Sequence, residues 1–94
     1  VAWKISFKKE TFKFLSKQDT DTQERIRTSL NSLLDYLERG IFPFNEMDIR
    51  KLKGQRKDFL RLRAGKIRII LKADTHDKEI RVYAIDYRGD VYKG

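Results

Sequence analysis

The side chains best equipped for chemistry in this chain are arginines and lysines, and they are concentrated. Ten of the 22 basic residues fall between positions 50 and 72 (Arg50, Lys51, Lys53, Arg56, Lys57, Arg61, Arg63, Lys66, Arg68 and Lys72), against one acid, Asp58. The other twelve are offset by thirteen acids, so the net charge of +8 resolves into a near-neutral body carrying one basic stripe. A well-solvated surface intersperses its charges; a stripe of one sign is the electrostatic footprint of a phosphate binder. Other chemistries lack parts. Cysteine is absent, which removes thiolate nucleophiles, disulfides and Cys-ligated zinc. The single histidine, His76, lies in a turn-like stretch with Asp74, Asp77 and Lys78, so neither a two-histidine ribonuclease nor a Ser-His-Asp device can be assembled. The only close carboxylate pair near the basic run, Asp86 and Asp90, reads as partners for arginines, and no metal or cofactor is expected. Gly54, Gly65 and Gly89 are isolated, which rules out a glycine-rich phosphate loop.

Arginine, lysine and tyrosine can still cleave RNA, because RNA carries its own nucleophile. The ribose 2′-hydroxyl attacks the adjacent phosphorus, negative charge grows on the phosphorane oxygens, and preorganised guanidinium groups stabilise it. DNA has no 2′-hydroxyl and cannot react this way.

Such groups need a rigid platform, and the hydrophobic pattern supplies one. Residues 1–7 carry Trp3, Ile5 and Phe7 on one side and read as a strand. Residues 9–16 read as a short helix through Phe12 and Leu15. Asp21 followed by Glu24 resembles a capping box that opens a second helix, whose stripe is Ile26, Leu30, Leu33, Leu34 and Leu37, with Gly40 as its stop. Residues 40–58 show no clear period and read as a long connection containing Phe42, Phe44 and Met47. Three strands follow over residues 59–63, 66–72 and 79–86, joined at Ala64-Gly65 and across the polar run from Asp74 to Asp77. The expected fold is therefore a single α+β domain: an N-terminal strand, a helical hairpin, then a three-stranded antiparallel meander packed on the helices. Strand parity puts Leu60, Leu62, Ile67, Ile69, Leu71, Ile80, Val82 and Ala84 on one face, and Arg61, Arg63, Arg68, Ile70, Lys72, Arg81, Tyr83 and Ile85 on the other.

At this point the residues resemble a known family. The run Lys51-Leu52-Lys53-Gly54, the segment Leu60-Arg61-Leu62-Arg63-Ala64-Gly65-Lys66-Ile67-Arg68, and the C-terminal stretch from Tyr87 to Tyr92 look like the RelE/ParE toxin superfamily of type II toxin–antitoxin systems. The resemblance implies a toxin neutralised by a cognate antitoxin protein and, in the RelE branch, a ribosome-associated endoribonuclease that cleaves mRNA. Carried over by position, it implies catalytic or phosphate-contacting roles for Arg61, Arg68 and Arg88, and a base-stacking or base-orienting role for Tyr92. Lys51, Lys53, Arg56, Lys57, Arg63 and Lys66 are expected to hold RNA. Lys53, Arg61 and Tyr92 are each candidates for the general base. Ile67 stands where relatives often carry a tyrosine. Two alternatives share the expected fold: a ParE-like inhibitor of DNA gyrase, and an inactive RNA-binding relic. No apolar run reaches the about 18 residues of a membrane span, so a cytoplasmic protein without a membrane partner is expected.

Overall fold

The computed structural model describes residues 2–54 and 58–87. Strand β1 (Lys4–Phe7) leads into two helices, α1 (Lys9–Ser16) and α2 (Thr20–Glu38). Four strands follow: β2 (Ile49–Lys51), β3 (Leu60–Ala64), β4 (Ile67–Asp74) and β5 (Glu79–Tyr87). They form one sheet in the order β1-β5-β4-β3-β2, antiparallel throughout except where β1 runs parallel to β5 at the far edge. The architecture is the expected α+β arrangement, enlarged by β2. That strand was hidden in the connection because it has only three residues and one buried side chain, Ile49, too short for alternation to register.

Helix α2 is the main partner of the sheet. Ile26, Leu30, Leu33 and Leu37 are buried in a stripe, and Leu34 packs beside them. The helix starts two residues earlier than the capping-box reading places it. Asp19, not Asp21, is the cap, and its Oδ1 accepts a 2.8 Å hydrogen bond from the Thr22 amide. That bond draws the Asp19 carboxyl below the ordinary carboxylate range. Asp21 instead lies in the first turn, where a negative charge favours the helix dipole. At the other end Gly40 adopts φ +77°. Its amide donates to Leu37 O and the Ile41 amide to Tyr36 O, the paired bonds of a Schellman stop.

Helix α1 has no side-chain cap; the buried Thr11 hydroxyl donates back to Lys8 O at 2.7 Å. Phe14 and Leu15 face the core, whereas Phe12, part of the helical spacing in the sequence, is 62% exposed. Leu62, Ile69, Leu71, Ile80 and Val82 are each 0% exposed, and complete burial of side chains this size stabilises by about 1.5–3 kcal/mol apiece.

The turn between β3 and β4 is Gly65-Lys66, with Gly65 at φ +63° as the first central residue, the pattern of a type II′ hairpin. Between β4 and β5 the register slips: Ile70 pairs with Ala84 but Leu71 pairs with Val82, leaving Tyr83 as the extra residue of a β-bulge. The bulge reverses the parity expected for the second half of β5. Ile85 is buried at 6%, and Ala84 joins Ile70 on the opposite face. Asp86 consequently lies across from Arg68.

Candidate nucleic-acid interface

The face of the sheet turned away from α2 is built from the alternate residues of β2 to β5. Register fixes its rows: Arg50 beside Arg61, Arg61 beside Ile70, and Arg63 beside Arg68, which continues to Asp86. Arg61, Arg63 and Arg68 therefore share one surface, as strand parity requires.

Each of these three guanidiniums meets a carboxylate. Arg68 donates to Asp86 through Nε at 3.3 Å and Nη2 at 3.1 Å, a two-pronged contact with both side chains part-buried. Asp48 binds the other two: its Oδ1 lies 3.0 Å from Arg61 Nη2 and its Oδ2 lies 3.6 Å from Arg63 Nη1. Asp48 is pinned because its backbone carbonyl accepts from the Arg63 amide at 2.9 Å, just before β2 pairs with β3. The Arg63 Nε is shielded from solvent with no acceptor in reach among the described residues. The arginines are thus held in fixed orientations by acids that also offset part of their charge. Asp86 was read from the sequence as an arginine partner and is one; Asp48 was not anticipated, since it sits in the stretch without a period.

The lysines are arranged differently. Lys51 lies on the edge strand β2 opposite Leu60, so its parity directs it to the helix side of the sheet, where its Nζ stands 6.0 Å from the Phe44 ring. Lys53 and Lys66 are exposed, Lys53 just past β2 and Lys66 at the tip of the β3–β4 turn. Arg56, Lys57, Arg88 and Tyr92, and also Asp90, lie outside the described residues. Toward the opposite end of the open face stand Phe59, Lys72 and Tyr83, with Lys8 from the start of α1. Beyond them, Arg81 contacts three carboxylates: Glu79 at 2.8 Å, Asp74 at 2.9 Å and Asp77 at 3.3 Å. The Glu79 carboxyl is lowered first by a hydrogen bond from Ser6 and then by Arg81, and the Asp74 carboxyl first by the Asp77 amide. Arg81 is raised, chiefly by its bond to Glu79. Among the described residues no group of three or more His, Asp or Glu side chains converges as a metal site.

No family model and no curated protein matches the sequence. Solved structures do match the fold. The archaeal RelE–RelB complex from Pyrococcus horikoshii OT3 is similar at 24% identity, over 95% of this chain and 98% of that one, with a TM-score of 0.72. The toxin–antitoxin complex RelBE2 from Mycobacterium tuberculosis reaches 0.71 at 15% identity, over 94% and 100% of the two chains. A mutant of E. coli RelE in the free state reaches 0.67 at 18% identity, over 99% and 90%. The chain therefore has the RelE-like toxin fold, two helices on a five-stranded mixed sheet.

Proposed function

We propose that this protein is the toxin of a type II toxin–antitoxin system and acts as a ribosome-associated endoribonuclease that cleaves mRNA without a metal ion. The observation that carries the reading is the coincidence of a RelE-like fold over nearly the whole chain with three arginines on the open sheet face. In the reaction, the ribose 2′-oxygen gives up its proton and bonds to phosphorus, and the bond from phosphorus to the 5′-oxygen breaks as that oxygen takes a proton from water, leaving a 2′,3′-cyclic phosphate and a 5′-hydroxyl. Arg68 and Arg88 stabilise the phosphorane oxygens, and Arg61 holds the neighbouring phosphate. Asp86 and Asp48 orient Arg68 and Arg61, which spares the reorganisation that free side chains would need. Lys53 and Tyr92 are the candidates for taking the 2′-proton; Arg61, paired with Asp48, keeps its charge and with it the phosphate-holding role. Lys53, Arg56, Lys57, Arg63 and Lys66 attract and hold the strand, whereas Lys51, expected from the sequence to share that role, faces the helix side beside Phe44.

A cognate antitoxin is the second half of the proposal. Beside the basic edge strand β2, Phe42 and Phe44 stack at 4.7 Å, and Ile41 and Phe44 are more than 40% exposed. An apolar patch with Lys51 beside it fits an acidic, amphipathic segment that folds on binding.

The deciding experiment mixes the protein with translating ribosomes and maps mRNA ends. Cleavage in the wild type and its loss in the Arg68→Ala, Arg88→Ala double variant is the expected result. Undiminished cleavage by that variant overturns the assignment of residues. Loss of DNA supercoiling with intact mRNA turns the reading to gyrase.

A further inference from the structure

One cluster on the open face has no part in the proposed cleavage chemistry. The rings of Phe59 and Tyr83 meet edge to face, 4.9 Å apart at 87°. Lys72 Nζ lies 4.8 Å from the Phe59 ring centre and 5.8 Å from that of Tyr83, and Lys8 Nζ lies 4.8 Å from the Tyr83 ring centre. The backbone holds this group in place. The Phe59 carbonyl accepts from the Leu52 amide at 3.0 Å, and the Lys8 amide donates to Val82 O at 3.1 Å, one residue before Tyr83. Tyr83 itself is the extra residue of the β5 bulge, a device that re-aims a side chain.

Phe59, Tyr83, Ile70 and Ala84 line a cleft of about 170 Å³. Small-molecule sites typically run to about 300–1,000 Å³, so this one admits a single flat ring rather than a whole cofactor. Its charge environment differs from the arginine end. Arg61, Arg63, Arg68 and Arg81 each have a carboxylate within 4.0 Å, whereas among the described residues Lys8 and Lys72 have none. On the far side, Asp74, Asp77 and Glu79 gather around Arg81 and present negative charge that repels a phosphate backbone.

We infer that this cluster is a base-binding subsite for single-stranded RNA. One unstacked base enters the cleft against Phe59 and Tyr83, and a flanking phosphate rests on Lys72 and Lys8. The inference rests on the RNA reading of the open face and adds to it a specific place for a base. Aromatic rings interleaved with lysines are how sequence-tolerant sites hold single strands, since every base has a π-face. Phe59, just before β3, and Arg63 within it are four residues apart, roughly 13 Å at about 3.3 Å per residue, so one short strand spans both ends of the face. The carboxylates around Arg81 terminate the track on that side.

The test compares a uridylate hexamer with an abasic ribose-phosphate hexamer of equal length, by fluorescence anisotropy at fixed salt. Wild-type protein is expected to prefer the hexamer with bases by about tenfold or more, the worth of one stacked base. Tyr83→Phe keeps that preference, and Tyr83→Ala reduces it severalfold while leaving abasic binding in place. Lys72→Met weakens both strands and lowers the salt slope by about one. A second measurement needs no variant: a hexamer carrying 4-thiouridine should photo-cross-link wild-type protein at Tyr83 or Phe59. An unchanged preference in Tyr83→Ala, or cross-links confined to other residues, overturns the subsite while leaving RNA binding intact. Failure of wild-type protein to bind either strand overturns the RNA reading itself and the subsite with it.

Discussion

Alternate residues of the same three strands meet opposite environments. On the helix side, Leu60, Leu62, Ile67, Ile69, Leu71, Ile80, Val82 and Ile85 are all buried to 7% exposure or less and need no polar partner. On the open side, Arg61, Arg63 and Arg68 are only part-buried, and each depends on an aspartate from another segment. The contrast separates two jobs. Stability is concentrated in the layer shared with α2. The charged layer carries little of it, because ion pairs still reached by solvent contribute about 0–1 kcal/mol. Charge on the open face is thus adjustable at small cost to folding.

Substitution on the helix side should break the fold first. Leu62→Ala empties a fully buried position and is expected to cost about 2–5 kcal/mol, read as a lower urea midpoint. If Arg63→Ala cost as much, the division of labour between the faces would be wrong. A smaller loss, about 1 kcal/mol, is expected for Gly40→Ala: its φ of +77° strains a β-carbon although nothing lies within 4 Å. A melting temperature lower by about 4–8 °C would record it.

Asp48→Ala sharpens the comparison from the other side. It removes a negative charge shared by Arg61 and Arg63, and is expected to cost about 1 kcal/mol or less in a denaturant titration. On the RNA reading, affinity for a single strand should rise and fall more steeply with salt. Weaker RNA binding by this variant would mean that the aiming of the arginines by Asp48 outweighs its offset of their charge.

The smallest effect concerns pH. Asp74 and Glu79 have carboxyls lowered below their ordinary values in the folded state, so the stability they contribute is fully present above those values. It is lost as pH falls through the lowered folded values. Stability curves should therefore decline on the acid side, and an Asp74→Asn, Glu79→Gln variant should decline less. Identical acid limbs in the two proteins would show that the Arg81 cluster has no part in acid stability.

Much of this was legible in the chain itself. The stripe from Ile26 to Leu37 is an α2 face because its spacing matches the helical period, and the parity of residues 60–71 separated leucines from arginines before any strand was paired. The pairing of Arg68 with Asp86 was half-legible, as a role for the acid without its partner. Strand β2 and the Asp19 cap were missed, the first for want of length and the second because Asp21-Glu24 offers the same spacing as Asp19-Thr22. The aromatic–lysine cluster joins Lys8, Phe59, Lys72 and Tyr83 from four elements or connections, and no local spacing announces it.

Sequence alone determined the basic stripe, the amphipathic helix and the two-faced strands, since each follows from residue type and a local period. Tertiary structure decided what those strands could do. Asp48 reaches Arg61 across 13 residues and Asp86 reaches Arg68 across 18, through pairings set by strand register. The decisive case is the bulge at Tyr83. One extra residue, accommodated where β4 and β5 slip, buries Ile85 and turns Asp86 onto Arg68, while Tyr83 keeps the open face its parity gives it, beside Phe59. Period-two alternation cannot foresee that slip, because it depends on how two strands match each other rather than on either strand by itself.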